Sequence, residues 1–218
     1  MKAIKVMMWK EARSVLHNIP LVLFIYALLL SGVYLVSYYG QSLLGDTALM
    51  VMFGGIFFLS EPIFYGERLN KTFVHLLASP ITIRELFLGK AFTIFIISYL
   101  MEWIVVIISG SIAWFNLGEL PSLSLALMTL IIIPIWGFVL IELFGIAYAL
   151  FGSNSIEIGL LLIGLVSGIL LTAREALRMG VQLYFWVPPI AGIGIGLALL
   201  LGLLVGRISK ERMMRVLS

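Results

Sequence analysis

Residues 14–45, SVLHNIPLVLFIYALLLSGVYLVSYYGQSLLG, contain no Asp, Glu, Lys or Arg. About 20 mainly apolar residues in a helix cross a hydrocarbon core of roughly 30 Å, so this run is long enough for one span. Outward from it, charge is again absent over 47–60, 103–118, 120–141, 143–156, 158–173 and 179–206. The whole chain of 218 residues is 62% hydrophobic and 11% charged, with a mean hydropathy of +1.15. Soluble domains carry about 25% charged residues, so this chain cannot cover a water-facing surface. Soluble enzymes, nucleic-acid modules and secreted disulfide scaffolds are thereby excluded. Cysteine is absent, which removes disulfides, thiolate nucleophiles and Cys-ligated metals.

The apolar runs are continuous, with no ten-residue alternation, so helices are expected rather than barrel strands. The predicted fold is all-α and integral to the membrane. A single domain over 1–218 has six spans, at about 20–39, 46–64, 91–114, 123–151, 156–172 and 185–206. The third merges across Glu102, and the fourth across Glu142. Pro134 removes a backbone donor inside the fourth span and predicts a kink near 130–134. The fifth span is short. The first apolar run is too long for a cleavable signal peptide.

Orientation follows from the cations. Lys2, Lys5, Lys10 and Arg13 precede the first span. Arg68, Lys71, Arg84 and Lys90 lie in 65–90, and Arg207, Lys210, Arg212 and Arg215 in the tail 207–218. With six spans these twelve of the fourteen cations share one side, leaving Arg174 and Arg178 on the other. The positive-inside rule then places both termini in the cytoplasm of a multi-pass cell-membrane protein.

Two cytoplasmic segments carry pattern. In 1–18, Ile4, Met7, Met8, Ala12, Val15 and Leu16 recur on one helical face, with Lys2, Lys10 and Arg13 opposite. This predicts an interfacial amphipathic helix, against the plainer reading of a basic flank that sets topology. Residues 61–90, EPIFYGERLNKTFVHLLASPITIRELFLGK, form the sole sizeable hydrophilic insertion between spans. Thr72 caps a short helix, Phe73, Val74, Leu76 and Leu77 give it an apolar face, and Ser79-Pro80 ends it. After Pro80, Ile81-Thr82-Ile83 reads as extended or turn-like, and Arg84 starts the approach to the third span. An apolar helix displayed on such a loop has the character of a docking element for another protein.

The run Glu67-Arg68, Lys71-Thr72-Phe73-Val74-His75-Leu76-Leu77-Ala78-Ser79-Pro80, Arg84-Glu85 and Gly89-Lys90 resembles the signature of ABC-2 type transporter permeases. That pattern is a charged stretch, Gly-Thr, a Leu-Leu-x-Ser/Thr-Pro core, and Gly-Lys opening the third helix. Two departures stand out. Lys71 replaces the usual Gly, and the stretch between spans five and six is too short for the re-entrant outer helices that many members carry. The resemblance is architectural over the whole chain but reaches residue level over about 67–90 alone. It implies a coupling helix at roughly Thr72–Ser79, seated in a cleft of a separate ABC ATPase subunit. Phe73, Leu76 and Leu77 are then apolar anchors, with Glu67, Arg68, Lys71 and Arg84 as a charged rim. His75 is either an interface hydrogen-bonder or a plain surface histidine. Gly152-Ser153-Asn154-Ser155 is either a second contact or a turn. The resemblance further implies a dimer of permease chains, homo- or heterodimeric, enclosing the substrate path and exporting by alternating access.

No Gly-x-x-x-x-Gly-Lys-Ser/Thr occurs, and Gly89-Lys90 lacks the upstream glycine and is followed by Ala91. No cofactor is therefore expected in this chain; ATP and Mg belong to the partner. Asp46 is the sole aspartate and His17 and His75 the two histidines, which leaves no hydrolase motif and no His-rich metal set. Glu102 and Glu142 cost at least roughly 2.5–3.5 kcal/mol each as charges at mid-membrane. Either they line the substrate path or they are neutral groups bonded to a neighbouring helix. Gly164/Gly168, Gly192/Gly196 and Gly202/Gly206 permit close helix approach, either within one chain or, at Gly164 and Gly168, between two. Two rival functions remain beside the exporter: a secondary transporter or channel, and an accessory membrane protein with no path. Within the family, a haem-exporter-like subunit is a further alternative.

Overall fold

The computed structural model describes residues 2–39, 44–65, 82–118, 123–151 and 183–206, together with Gly164 and Gly168. All regular structure among them is helical. The elements are α1 (Lys2–His17), α2 (Ile19–Tyr39), α3 (Leu44–Ser60), α4 (Ile83–Leu117), α5 (Leu123–Leu127), α6 (Ile133–Phe151) and α7 (Leu183–Gly206). Single π-helical turns extend α3 over Glu61–Tyr65 and join α5 to α6 over Met128–Ile132.

Among the described residues, four stretches are long and apolar enough to cross a membrane: Leu44–Phe64, Ile83–Ile112, Leu125–Tyr148 and Pro188–Val205. The chain is thus a helical membrane protein. The predicted first span coincides with α2, of which Ile25–Tyr34 is apolar but shorter than a span. The predicted fifth span, 156–172, lies outside the described residues except for Gly164 and Gly168, both helical.

Packing contacts set the directions. Tyr99 reaches Leu130, Phe138 lies 5.6 Å from Phe92 and 5.5 Å from Phe95, and Gly145 sits against Phe87, so α4 and α6 are antiparallel. Gly194 meets Ile135, and Gly202 meets Glu142, so α7 runs parallel to α6. Helix α3 lies in the angle between α4 and α6, with Gly55 against Ser98 and Gly137 against Met52. Ala48, Met52, Ile56, Ile94, Leu140 and Phe144 are buried at this junction.

Helix α4 starts at Ile83, earlier than the span predicted from 91. Thr82 is extended (φ −74°, ψ 151°) and closes a capping box. The Glu85 N–H donates to Thr82 Oγ1 at 3.2 Å, and the Thr82 N–H donates to the Glu85 carboxylate at 3.1 Å. Two orphan donors are thereby satisfied reciprocally. The helix then runs 35 residues to Gly118, whose φ of 68° and N–H bond to the Trp114 carbonyl end it in the left-handed cap that glycine favours. At 1.5 Å per residue it is about 52 Å long, well beyond the bilayer core.

Near Pro134, where a kink is expected, the chain makes the Met128–Ile132 π turn. Proline has no N–H to give the Leu130 carbonyl, and Tyr99 Oη donates to that oxygen instead, at 3.5 Å. Helix α1 ends at His17, and Pro20 stands in the first turn of α2, where a missing donor costs nothing. On α1, Met7, Glu11 and Val15 are buried, Met7 pressing against Gly89 of α4. Leu16, on the predicted apolar face, is 72% exposed, alongside Val6 and Trp9.

A Cβ at Gly145 would run into the buried Phe87 ring. Gly145→Ala is expected to lower stability by about 1–3 kcal/mol, read as a drop in melting temperature in detergent. Adding Phe87→Leu should restore much of it.

Candidate functional site

A cleft of about 730 Å³ opens between α4, α6 and α7. Its α4 wall is Arg84, Leu88, Phe92, Phe95 and Tyr99, a stripe of one helical face. Pro134, Phe138 and Glu142 contribute from α6, and Ile195, Leu199, Gly202 and Leu203 from α7. The aromatic groups interlock: Phe95 stacks on Tyr99 at 5.5 Å, and Phe138 packs edge-on to Phe95. The Tyr99 hydroxyl is already engaged with Leu130. Among the described residues, Arg84 and Glu142 are therefore the charged side chains that this surface presents.

The two carboxylates picked from the sequence come apart in the fold. Glu142 is 2% exposed, lines the cleft, and has one oxygen, Oε2, with no hydrogen-bond partner. Gly202 faces it, and a Cβ there would stand 3.4 Å from Glu142 Oε1. Glu102 is 1% exposed, neither of its oxygens has a partner, and it does not line the cleft. It continues a buried polar face of α4 with Ser98 and Ser109, whose hydroxyls also lack partners. By the antiparallel register, Glu142 stands level with Leu88, fourteen residues or about 21 Å along α4 from Glu102. They do not form one site.

Lys90 was counted among the loop cations. It is instead 1% exposed and lies inside α4. Its Nζ donates to the Ile63 carbonyl and sits 5.8 Å over the Phe64 ring. The Ile63 carbonyl lies in the last described turn of this helix, and a cation near the C-terminal end of a helix is favoured by the dipole. Phe64 is held in turn by Phe87 at 5.2 Å and Tyr148 at 6.1 Å. Residues 66–81 are bracketed by Tyr65 and Thr82, so Lys90 ties together the two helices from which that segment leaves. Sequence reasoning missed this joint because a lysine beside a hydrophilic segment reads as solvated.

Glu67, Arg68, Lys71, Thr72, Phe73, His75, Leu76, Leu77, Ser79 and Pro80 lie outside the described residues. Gly164 and Gly168 are exposed, and a Cβ at either would meet nothing within 4 Å. The same holds for Gly192 and Gly196, whereas Gly194, outside the predicted pairs, packs against Ile135. Among the described residues no group of His, Cys, Asp and Glu could hold a metal ion.

Comparison with family models, with curated sequences and with solved structures gives no match to this chain.

Removing the Lys90 ammonium takes away its bond to the Ile63 carbonyl and its seat over the Phe64 ring, at a cost of about 1–3 kcal/mol. Lys90→Met is expected to lower the melting temperature in detergent. Glu102→Leu should leave it unchanged or raise it, because an apolar side chain there removes unpartnered polar atoms. The pair of melting curves checks both assignments.

Proposed function

We propose that the chain is the permease subunit of an ATP-binding cassette exporter, working as a dimer and driven by a separate ATPase through residues 65–90. The sequence resemblance supplies the docking segment. The observation that carries the reading is the continuity of α4. The capping box at Thr82 starts this helix directly after residues 66–81. The same helix then supplies Arg84, Leu88, Phe92, Phe95 and Tyr99 to the cleft. A push on the segment before Thr82 is delivered to a whole cleft wall without passing through a flexible joint. Lys90 carries the same push to the end of α3. Rigid-body motion of packed helices is how such transporters alternate access.

Other features fit this reading. The parallel run of α6 and α7 is what two neighbouring spans show when one further span separates them in sequence. Helix α1, with Val6, Trp9 and Leu16 turned outward beside Lys5, Lys10 and Arg13, suits a membrane interface on the cytoplasmic side. In this arrangement both termini are cytoplasmic, and Glu142 marks the substrate path. Glu102, about 21 Å further along α4, is a structural group of the bundle.

Replacing Phe73 and Leu77 by Asp is expected to abolish co-purification of an ABC ATPase and ATP-driven transport in proteoliposomes. Insertion and the detergent elution profile should remain normal. Transport that survives the double change, or runs on an ion gradient with no ATPase present, refutes the coupling assignment and favours a secondary transporter.

A further inference from the structure

We propose that the cleft between α4, α6 and α7 binds an aminophospholipid, its phosphate on Arg84 and its primary ammonium on Glu142. The proposal rests on the permease reading insofar as it names what enters the path, but binding itself needs no ATPase. Three observations lead to it.

The charges lie at one end. Phe138 stands between Phe92 and Phe95, so in the antiparallel pair Glu142 is level with Leu88, and Arg84 is four residues, about 6 Å, further out. From Arg84 to Tyr99 the α4 wall spans fifteen residues, about 22 Å. Beyond the charged end, the side chains facing the cleft are aromatic or aliphatic apart from Tyr99, whose hydroxyl is bonded to Leu130. A charged head and a long apolar body are the outline of a membrane lipid. One leaflet of hydrocarbon is about 15 Å deep, which leaves the upper part of the cleft for a headgroup.

The two charges have opposite signs. An apolar ligand would leave Glu142 Oε2 buried and still unbonded. A purely anionic lipid would meet Arg84 but set its charge beside a carboxylate, and a cationic amphiphile would use Glu142 but repel Arg84. A phosphodiester joined to a primary amine satisfies both. Arg donates a fork of N–H groups to phosphate oxygens, and an ammonium brings three N–H donors to the carboxylate. A quaternary choline head has no N–H to donate, so ethanolamine is preferred over choline.

Space is provided at the carboxylate. Gly202 is the α7 residue facing Glu142, and the absence of a side chain there leaves the space beside Glu142 Oε1 unfilled. The cleft volume of about 730 Å³ lies in the usual range for a ligand site.

The test uses the full-length chain in liposomes without any ATPase, photolabelled by phosphatidylethanolamine carrying a diazirine on one acyl chain. Labelled residues are mapped by mass spectrometry. Label is expected on the cleft-facing Phe95, Phe138 and Leu199. Unlabelled phosphatidylethanolamine should compete about tenfold better than phosphatidylglycerol or phosphatidylcholine. Glu142→Gln and Arg84→Gln should each reduce labelling about tenfold, while Ile107→Ala on an outward face should not. Label spread evenly over outward positions such as Ile107 and Leu204, or equal competition by the three lipids, overturns the proposal. If a variant fails to elute as the wild type does, competition on the wild-type chain decides. Lipid-selective labelling without ATP-driven transport removes the permease reading and keeps the site. Transport with indifferent labelling does the reverse.

Discussion

Inside a bilayer, a backbone carbonyl that loses its helical donor finds no water to replace it, and much of this architecture answers that constraint. Pro134 strips the Leu130 carbonyl of its donor, and Tyr99 on the neighbouring helix supplies one. At the last described turn of α3 the Ile63 carbonyl takes a charged donor, the Lys90 ammonium. Thr93 and Thr129 turn their hydroxyls back onto carbonyls of their own helices, at Gly89 and Leu125. The first two bonds also cross between helices, Tyr99 from α4 to the π turn before α6 and Lys90 from α4 to the last described turn of α3. The antiparallel register that places Glu142 beside Leu88 shows in the Tyr99, Phe138 and Gly145 contacts together.

Charge-free runs report the solvent directly, and the membrane class and the approximate positions of α2, α3, α4, α6 and α7 were legible from them. Helix ends were less so. Charge served as the marker of water, and Lys90 shows where that fails. Its ammonium is buried because a helix terminus and an aromatic ring replace hydration, an arrangement set by residues 27 positions away. The start of α4 did carry a local signal. Thr82 and Glu85 have the spacing of a capping box, but Pro80 directed attention to a turn. Pro134 was readable because its effect is covalent and local. Its outcome as a π turn over Met128–Ile132 had no signal of its own in the local pattern.

Glu102 and Glu142 looked equivalent in sequence, each an acid within an apolar run. The fold separates them by what they face. Gly202 keeps one side of Glu142 open to the cleft, whereas Glu102 lies in a closed polar strip with Ser98 and Ser109. The glycines followed the same logic. Spacing four apart marked Gly192 and Gly196, yet the one pressed against α6 is Gly194. Close approach is a property of the facing helix as much as of the motif.

The length of α4 has a further consequence. A helix whose apolar stretch is longer than the hydrocarbon core has no single preferred depth. It can slide along the membrane normal or tilt at small hydrophobic cost. Helix α1 is pressed onto α4 at Gly89 through Met7, while Val6, Trp9 and Leu16 face outward. In the proposed arrangement α1 floats at the lipid surface, and this contact makes it the draught mark of the protein. The depth at which Arg84 and Glu142 ride is then set by the headgroup plane, and the cleft stays in register with one leaflet.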